Sequence, residues 1–128
     1  MKYLNIAAVL LMVLAFFRLS GVSVEPPQDA WFEAHVTRSP RPVLVKFGAT
    51  WCPPCRYLES VLDDAAGRLG GKVKIVRIDV DEHPELARHY QVRGIPRVFL
   101  IEQGRVLGTH GGFANASQLE DWVGRYLQ

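Results

Sequence analysis

Strand-like and helix-like segments alternate along this 128-residue chain, and that alternation is what most constrains its fold. Short β-branched runs at residues 43–47 and 73–80 are separated by an amphipathic stretch, whereas residues 97–101 and 105–109 flank a turn at 103–104. Strands separated by helices pair in parallel, and hairpin strands pair antiparallel. The sequence therefore predicts an α/β fold with a central mixed β-sheet flanked by helices on both faces. The helices are expected at residues 28–36, from the cysteine motif to Gly70, from Pro84 to about Tyr90, and after Asn115.

Residues 1–24 have a different composition from the rest of the chain. Lys2 precedes an apolar run over residues 4–17 that only one Asn interrupts. As a helix this run rises about 21 Å, which is short of a hydrocarbon core of about 30 Å and fits the apolar region of a signal peptide. Gly21 and Ser23 are the small residues that a signal peptidase would require. The segment is therefore predicted to direct export.

An uncleaved anchor is the alternative for the same segment. A helix extended over residues 4–24 would anchor the chain, with the long side chain of Arg18 reaching the lipid boundary. In both cases residues 25–128 form one domain, large enough for a single hydrophobic core. This domain is expected in the periplasm or another extracytoplasmic space, either soluble after cleavage or anchored by the N-terminal helix.

The charge pattern indicates no nucleic-acid partner. The formal net charge is +2, and the 15 Lys and Arg residues are scattered without a basic run. Proteins that bind nucleic acid present clustered cations, in single-strand binders combined with aromatic residues. We expect a monomer that interacts with other proteins.

Cys52 and Cys55 are the only cysteines, and two prolines separate them. As a structural disulfide they would close a four-residue loop, worth about 2 kcal/mol against nearly 5 for a loop of 100 residues. A zinc site would need two histidines as well, and the spacing from Cys55 to His83 exceeds the usual finger spacing. An inert interaction module would not need both thiols. Redox exchange is the remaining hypothesis and the one we favour, with no metal and no cofactor.

The placement of the pair supports redox exchange. A strand leads into the motif and a helix begins there, so that Cys52 lies at a helix N-terminus, where the dipole favours the thiolate. Cys52 is the predicted nucleophile and Cys55, one turn further along and more buried, the predicted resolving thiol. Because Pro53 and Pro54 lack N–H donors, Cys52 should be only moderately acidified. This favours a reducing or intermediate potential.

With these motifs the sequence resembles the thioredoxin family, from about Asp29 to Leu127. The resemblance rests on Phe47, Ala49, the Trp-Cys-Pro-Pro-Cys run at 51–55, Asp81, Gly94-Ile95-Pro96, Gly104, Gly112 and Gln118-Leu119. It implies a thioredoxin fold in which Pro96 is a cis-proline beside the dithiol. Ile95 would offer its backbone to an extended substrate segment, Trp51 would flank the dithiol, and Pro53 and Pro54 would face the substrate.

The resemblance fails at one position. Thioredoxins place a buried acidic residue beneath the dithiol, and this residue is thought to accept the proton of the resolving cysteine. This sequence has Lys46 at that position. Arg77 matches the Lys that partners the acidic residue in the family. A buried Lys46 would pair with a carboxylate such as Asp79 or lose its proton. Charged, it would make the dithiol more oxidising, and neutral, it would accept the Cys55 proton. Alternatively, its side chain reaches the surface and has no part in the chemistry.

The predicted activity is that of a thiol–disulfide oxidoreductase acting on protein thiols and disulfides. The Pro-Pro dipeptide and the export segment look like extracytoplasmic members of the superfamily, which keep chosen thiols reduced, including those for cytochrome c maturation. The electron donor would be a membrane-embedded protein or another thiol. The alternatives are a disulfide oxidase or isomerase, and a metal- or haem-handling accessory protein that uses the dithiol as a ligand.

Overall fold

The N-terminal segment is only partly described by the computed structural model, which covers residues 5–19 and 24–127. Helix α1 spans Ile6–Leu19. Lys2, Gly21 and Ser23 lie outside the described residues, so the export segment remains a prediction. Within the described ranges, no helix is both long enough and apolar enough to cross a membrane.

A four-stranded mixed sheet forms the centre of the domain, as predicted. The strands are β1 (Val43–Gly48), β2 (Lys74–Asp79), β3 (Arg97–Glu102) and β4 (Arg105–His110). Their spatial order is β2-β1-β3-β4. Strand β1 pairs in parallel with β2 and antiparallel with β3, and β3 forms a hairpin with β4. Because β1 is central, a residue at its carboxyl end lies in the middle of one sheet edge.

The helices begin and end close to the residues that the sequence indicates. The helical segments are α2 (Ala30–Phe32, continued by a π-helical stretch Glu33–Thr37), α3 (Pro53–Leu69), α4 (Pro84–His89) and α5 (Ala116–Tyr126). Helix α3 is capped by Gly70, which adopts the left-handed φ of 58° that favours glycine. Helix α5 begins after Asn115, whose Oδ1 accepts the Gln118 N–H at 2.9 Å.

Each face of the sheet carries its own apolar cluster. On one face α3 and α5 pack over the sheet, and on the other α2 and α4 do so, with side chains of β1 alternating between the two. The first cluster includes Leu44, Leu58, Leu62, Leu100, Leu119 and Trp122. The second includes Phe32, Val45, Phe47, Leu86, Tyr90 and Phe99. By this alternation, Lys46 shares the α3 face with Leu44.

Two aromatic residues, Trp31 and Tyr126, lie at the margins of the core. Trp31 is half-buried and stacks between His35 and His83, with ring centroids 4.6 and 5.3 Å away. Tyr126 occupies the last turn of α5 and is 43% exposed. Its ring covers Gly108, because a Cβ at that glycine would lie 2.5 Å from the phenol oxygen.

Candidate functional site

The dithiol lies where β1 leads into α3. Cys52 is the N-cap of α3, with extended backbone angles, and Pro53 and Pro54 occupy the first helical positions. Cys52 and Cys55 form a disulfide with a Cα–Cα distance of 5.2 Å. One helical turn therefore brings the two sulfurs into bonding contact at the middle of the sheet edge.

The first backbone donor that can reach Cys52 comes from Cys55. Pro53 and Pro54 have no N–H, and the Cys55 N–H donates to Cys52 Sγ at 3.3 Å. In the reduced protein the same N–H is positioned to donate to a Cys52 thiolate at the positive end of the helix dipole. The two prolines thus limit how strongly the helix terminus stabilises that thiolate.

Both cysteines are covered in the disulfide form. Cys55 is 1% exposed, as expected for the inner cysteine, but Cys52 is 4% exposed and not the open sulfur that its position at a helix start suggested. Ala49 and the partly buried Val80 and Ile95 pack against the pair. Val80 and Ile95 come from segments distant in sequence, so helix position alone does not reveal this cover.

Ile95 and Pro96 lie beside Cys52 although 43 residues separate Ile95 from it. The Ile95 carbonyl oxygen is 3.9 Å from Cys52 Sγ. The Ile95–Pro96 peptide bond is cis. Strand β3 begins at Arg97, so Ile95 precedes the paired part of the sheet.

Exposed apolar side chains surround the buried disulfide. Trp51 is 65% exposed, and its indole Nε1 donates to Asp81 Oδ2 at 2.8 Å, which orients the ring. Pro53 and Pro54 are also exposed. These three residues form an apolar rim at the surface next to Cys52, where a partner protein would make its first contacts.

Lys46 is buried on the α3 side of the sheet and pairs with Glu59. The residue is 8% exposed, so the alternative in which its side chain reaches the surface is wrong. Its Nζ donates to Glu59 Oε1. The expected partner Asp79 instead accepts the Asp81 N–H at 2.8 Å and closes the turn after β2.

Glu59 joins two cations and was not identified from the sequence. Its second oxygen accepts from Arg77 Nε at 2.6 Å. Burial raises the pKa of Glu59, but hydrogen bonds from Lys46 and Arg77 and their positive charges outweigh burial, so the pKa is lowered. The carboxylate is therefore ionised at neutral pH. The available signal was spacing, because Glu59 lies four residues after Cys55 and thus on the same helix face.

A cavity of about 560 Å³ lies next to Cys55. Cys55, Lys46, Glu59 and Arg77 line it, and Trp31 forms part of its wall. Gly48 adjoins the cavity, and a Cβ there would lie 3.2 Å from Lys46 Nζ and 3.3 Å from Cys55 Sγ. Within the part of the chain that the structure describes, no three His, Cys, Asp or Glu side chains are grouped to hold a metal ion.

A mixed α/β fold with a disulfide-forming cysteine pair at the start of a central helix defines a thiol–disulfide oxidoreductase. The sequence profile of the family described as Thioredoxin matches residues 23–125. Thioredoxin of Rickettsia felis is 36% identical over 99 residues, covering 77% of this chain and 94% of that protein. Thioredoxin of Haemophilus influenzae is 38% identical over 99 residues, covering 77% and 92%. The chain belongs to the thioredoxin family.

Solved structures show the same fold. The structure of a malarial protein superposes with a TM-score of 0.63 at 22% sequence identity, covering 69% of this chain and 99% of the other. The predicted thioredoxin fold is thereby confirmed.

Proposed function

We propose that this oxidoreductase reduces disulfides of partner proteins in an extracytoplasmic space. The observation that carries the proposal is the position of the disulfide, which is buried beneath an apolar rim of Trp51, Pro53 and Pro54 and lies beside Ile95. A dithiol buried beneath such a rim reacts with partners that dock on the rim. Proteins that carry a disulfide are partners of this kind.

Reduction proceeds in two exchange steps. In the reduced form, the Cys52 thiolate attacks one sulfur of the partner disulfide, and the other partner sulfur leaves and takes up a proton. Cys55 then loses its proton to water and attacks Cys52 Sγ, forming the Cys52–Cys55 bond while the mixed disulfide breaks. The released partner sulfur is protonated, and two electrons have passed to the partner. A thiol donor, membrane-embedded or otherwise, must then reduce the chain again.

Ile95 and Pro96 are proposed as the platform for the substrate backbone. Because Ile95 precedes β3, an extended segment can lie along it without displacing a sheet hydrogen bond. Its carbonyl, 3.9 Å from Cys52 Sγ, would hold that segment within reach of the nucleophile. Trp51, exposed next to Cys52, is proposed to shape the approach of the partner.

The direction of exchange is tested by the redox equilibrium and by turnover. The protein is equilibrated with a series of glutathione buffers to measure its potential. In a separate assay, its catalysis of insulin disulfide reduction is followed with dithiothreitol as the electron source. With one helix N–H available to Cys52, we expect a potential nearer the thioredoxin value of about −270 mV than the strong-oxidant value of about −120 mV, and catalysed insulin reduction. A potential near the oxidant value would indicate an oxidase. Stoichiometric metal binding without insulin turnover would indicate an accessory protein instead.

We infer export from the N-terminal segment, whether it is cleaved or retained. The segment that precedes the domain is held at the end of the sheet opposite the dithiol. The Glu25 carbonyl accepts from His89 Nε2 at 2.6 Å, and a Cβ at Gly104 would lie 2.6 Å from Pro26 Cγ. Gly104 follows β3, whose end pairs with the start of β1. A retained anchor would therefore leave the dithiol end open to partners.

Export is tested with an alkaline phosphatase reporter, which is active only outside the bacterial cytoplasm. A fusion that carries residues 1–24 should be active, whereas the matched fusion to residues 25–128 alone should not. Intact-mass measurement of soluble and membrane fractions then distinguishes cleavage from anchorage. An inactive reporter with residues 1–24 in place would contradict the proposed location.

A further inference from the structure

The ammonium of Lys46 and the sulfur of Cys55 both lie next to the position that a side chain of Gly48 would occupy. The two atoms lie 3.2 and 3.3 Å from the point where a Cβ of Gly48 would be, so they are no further apart than the sum of those distances. Lys46 is nearly inaccessible to solvent, so its charge is weakly screened at this range.

We propose that the Lys46 ammonium, held by Glu59, stabilises the Cys55 thiolate and thereby makes the resolving cysteine more acidic and the dithiol more oxidising. Lys46 thus assists resolution electrostatically, and Glu59 is a positioning residue that acts through it. This inference rests on the proposed exchange reaction and specifies how its second step is promoted.

The charges around the site determine the sign of the effect. Glu59 carries one negative charge and pairs with two cations, Lys46 and Arg77, so this group has a net positive charge. Asp63, a further partner of Arg77 at 3.4 Å, is 77% exposed on its side chain and therefore screened by solvent. A net positive group next to a sulfur favours the thiolate over the thiol, and hence the reduced dithiol over the uncharged disulfide.

The cavity provides the route for the proton that Cys55 loses. It has room for water beside Cys55 and extends to the ion-paired side chains. Because Glu59 is committed to two cations, water is the proton acceptor in this scheme, and the ammonium stabilises the anion left behind. The remaining ionisable side chains that line the cavity are Arg56, Asp79, Glu82 and His83.

The test is to remove the charge of Lys46 while keeping its volume. In Lys46→Met, the acidity of the Cys55 thiol should fall by at least about tenfold, measured by NMR titration of the reduced protein. At a pH above the measured Cys55 pKa of the variant, the redox equilibrium with glutathione should move at least about tenfold toward the disulfide, equivalent to about 30 mV more reducing. Lys46→Gln should shift both quantities in the same direction and serves as a second variant should the first fold poorly.

Lys74→Met is the matched control for the loss of one Lys charge. Lys74 is the first residue of β2, at the sheet end opposite the dithiol, where its Nζ donates to the His35 carbonyl at 2.7 Å. It should leave both quantities within twofold of wild type. If folded Lys46 variants titrate and equilibrate as wild type does, or if Lys74→Met shifts the equilibrium equally, the proposal is wrong.

A double-mutant cycle tests the part assigned to Glu59. Glu59 Oε1 accepts the hydrogen bond that fixes the Lys46 ammonium in place. Without that carboxylate the ammonium is no longer held next to Cys55, so Lys46→Met should have at least threefold less effect in a Glu59→Gln background. Additive effects would contradict the positioning role. A failure of the proposed function is distinguishable from a failure of this inference. If the proposed function is wrong, wild type itself does not reduce insulin. If only this inference is wrong, wild type reduces insulin and the Lys46 variants behave like it.

Discussion

Cys52→Ser is expected to abolish disulfide reduction, lowering insulin turnover by roughly 1,000-fold or more because the attacking thiolate is lost. Serine has nearly the same shape, and Cys52 is buried against Ala49 and Ile95, so the fold should persist. The measurement is dithiothreitol-dependent insulin turbidity, with near-UV circular dichroism confirming the native packing. Undiminished turnover would refute Cys52 as the nucleophile.

Cys55→Ser separates the two steps of the same reaction. The first attack needs Cys52 alone, so this variant should form mixed disulfides that do not resolve. On non-reducing gels it should accumulate as covalent complexes with partner proteins, and the Cys52→Ser variant serves as the control that forms none. Equal amounts of complex with the two variants would reverse or exclude the assigned roles.

Phe47→Ala is expected to lower the free energy of unfolding by about 3–5 kcal/mol. Phe47 is fully buried, and its ring packs against Phe99 and Tyr90 with centroids 5.6 and 5.9 Å away. Truncation leaves a cavity within this aromatic cluster, and the loss is a large part of the 5–15 kcal/mol typical of a domain. Guanidinium denaturation of the disulfide form measures it as a lower midpoint with an unchanged slope.

Phe47→Leu is the matched control for that prediction. It keeps most of the apolar volume, and its cost should stay below about 1.5 kcal/mol. A loss under 1 kcal/mol for Phe47→Ala would show that the cluster closes over the cavity. Because Phe47 lies between Lys46 and Gly48, a collapse of the strand would also alter the dithiol, and insulin turnover of both variants would report it.

Local patterns along the chain were sufficient to predict the secondary structure. Short β-branched runs, a turn signal and the helical spacing of apolar residues located the four strands and the main helices, with ends within one or two residues for most of them. Gly70 and Asn115 predicted helix ends because left-handed backbone and side-chain capping are local properties. The cysteine pair was equally evident, since a helix start and a spacing of three are both read along the sequence.

The chemistry around the dithiol depended on contacts that no local pattern contains. The partner of Lys46 proved to be Glu59 on α3 and not Asp79 on the neighbouring strand, because the rotation of the helix decides which carboxylate reaches the ammonium. Trp31 proved to be part of the cavity wall. Its position there depends on how α2 packs on the sheet, which no local pattern gives.

The sequence by itself determined the order of elements, the mixed sheet and the placement of Cys52 and Cys55 at a helix start, since each follows from backbone preferences over a few residues. Only the tertiary structure decided that Cys52 is covered by Ile95 and that a charged pair lies behind Cys55. Burial and ion pairing depend on distances between segments far apart in the chain, and these distances exist only once the helices are packed on the sheet.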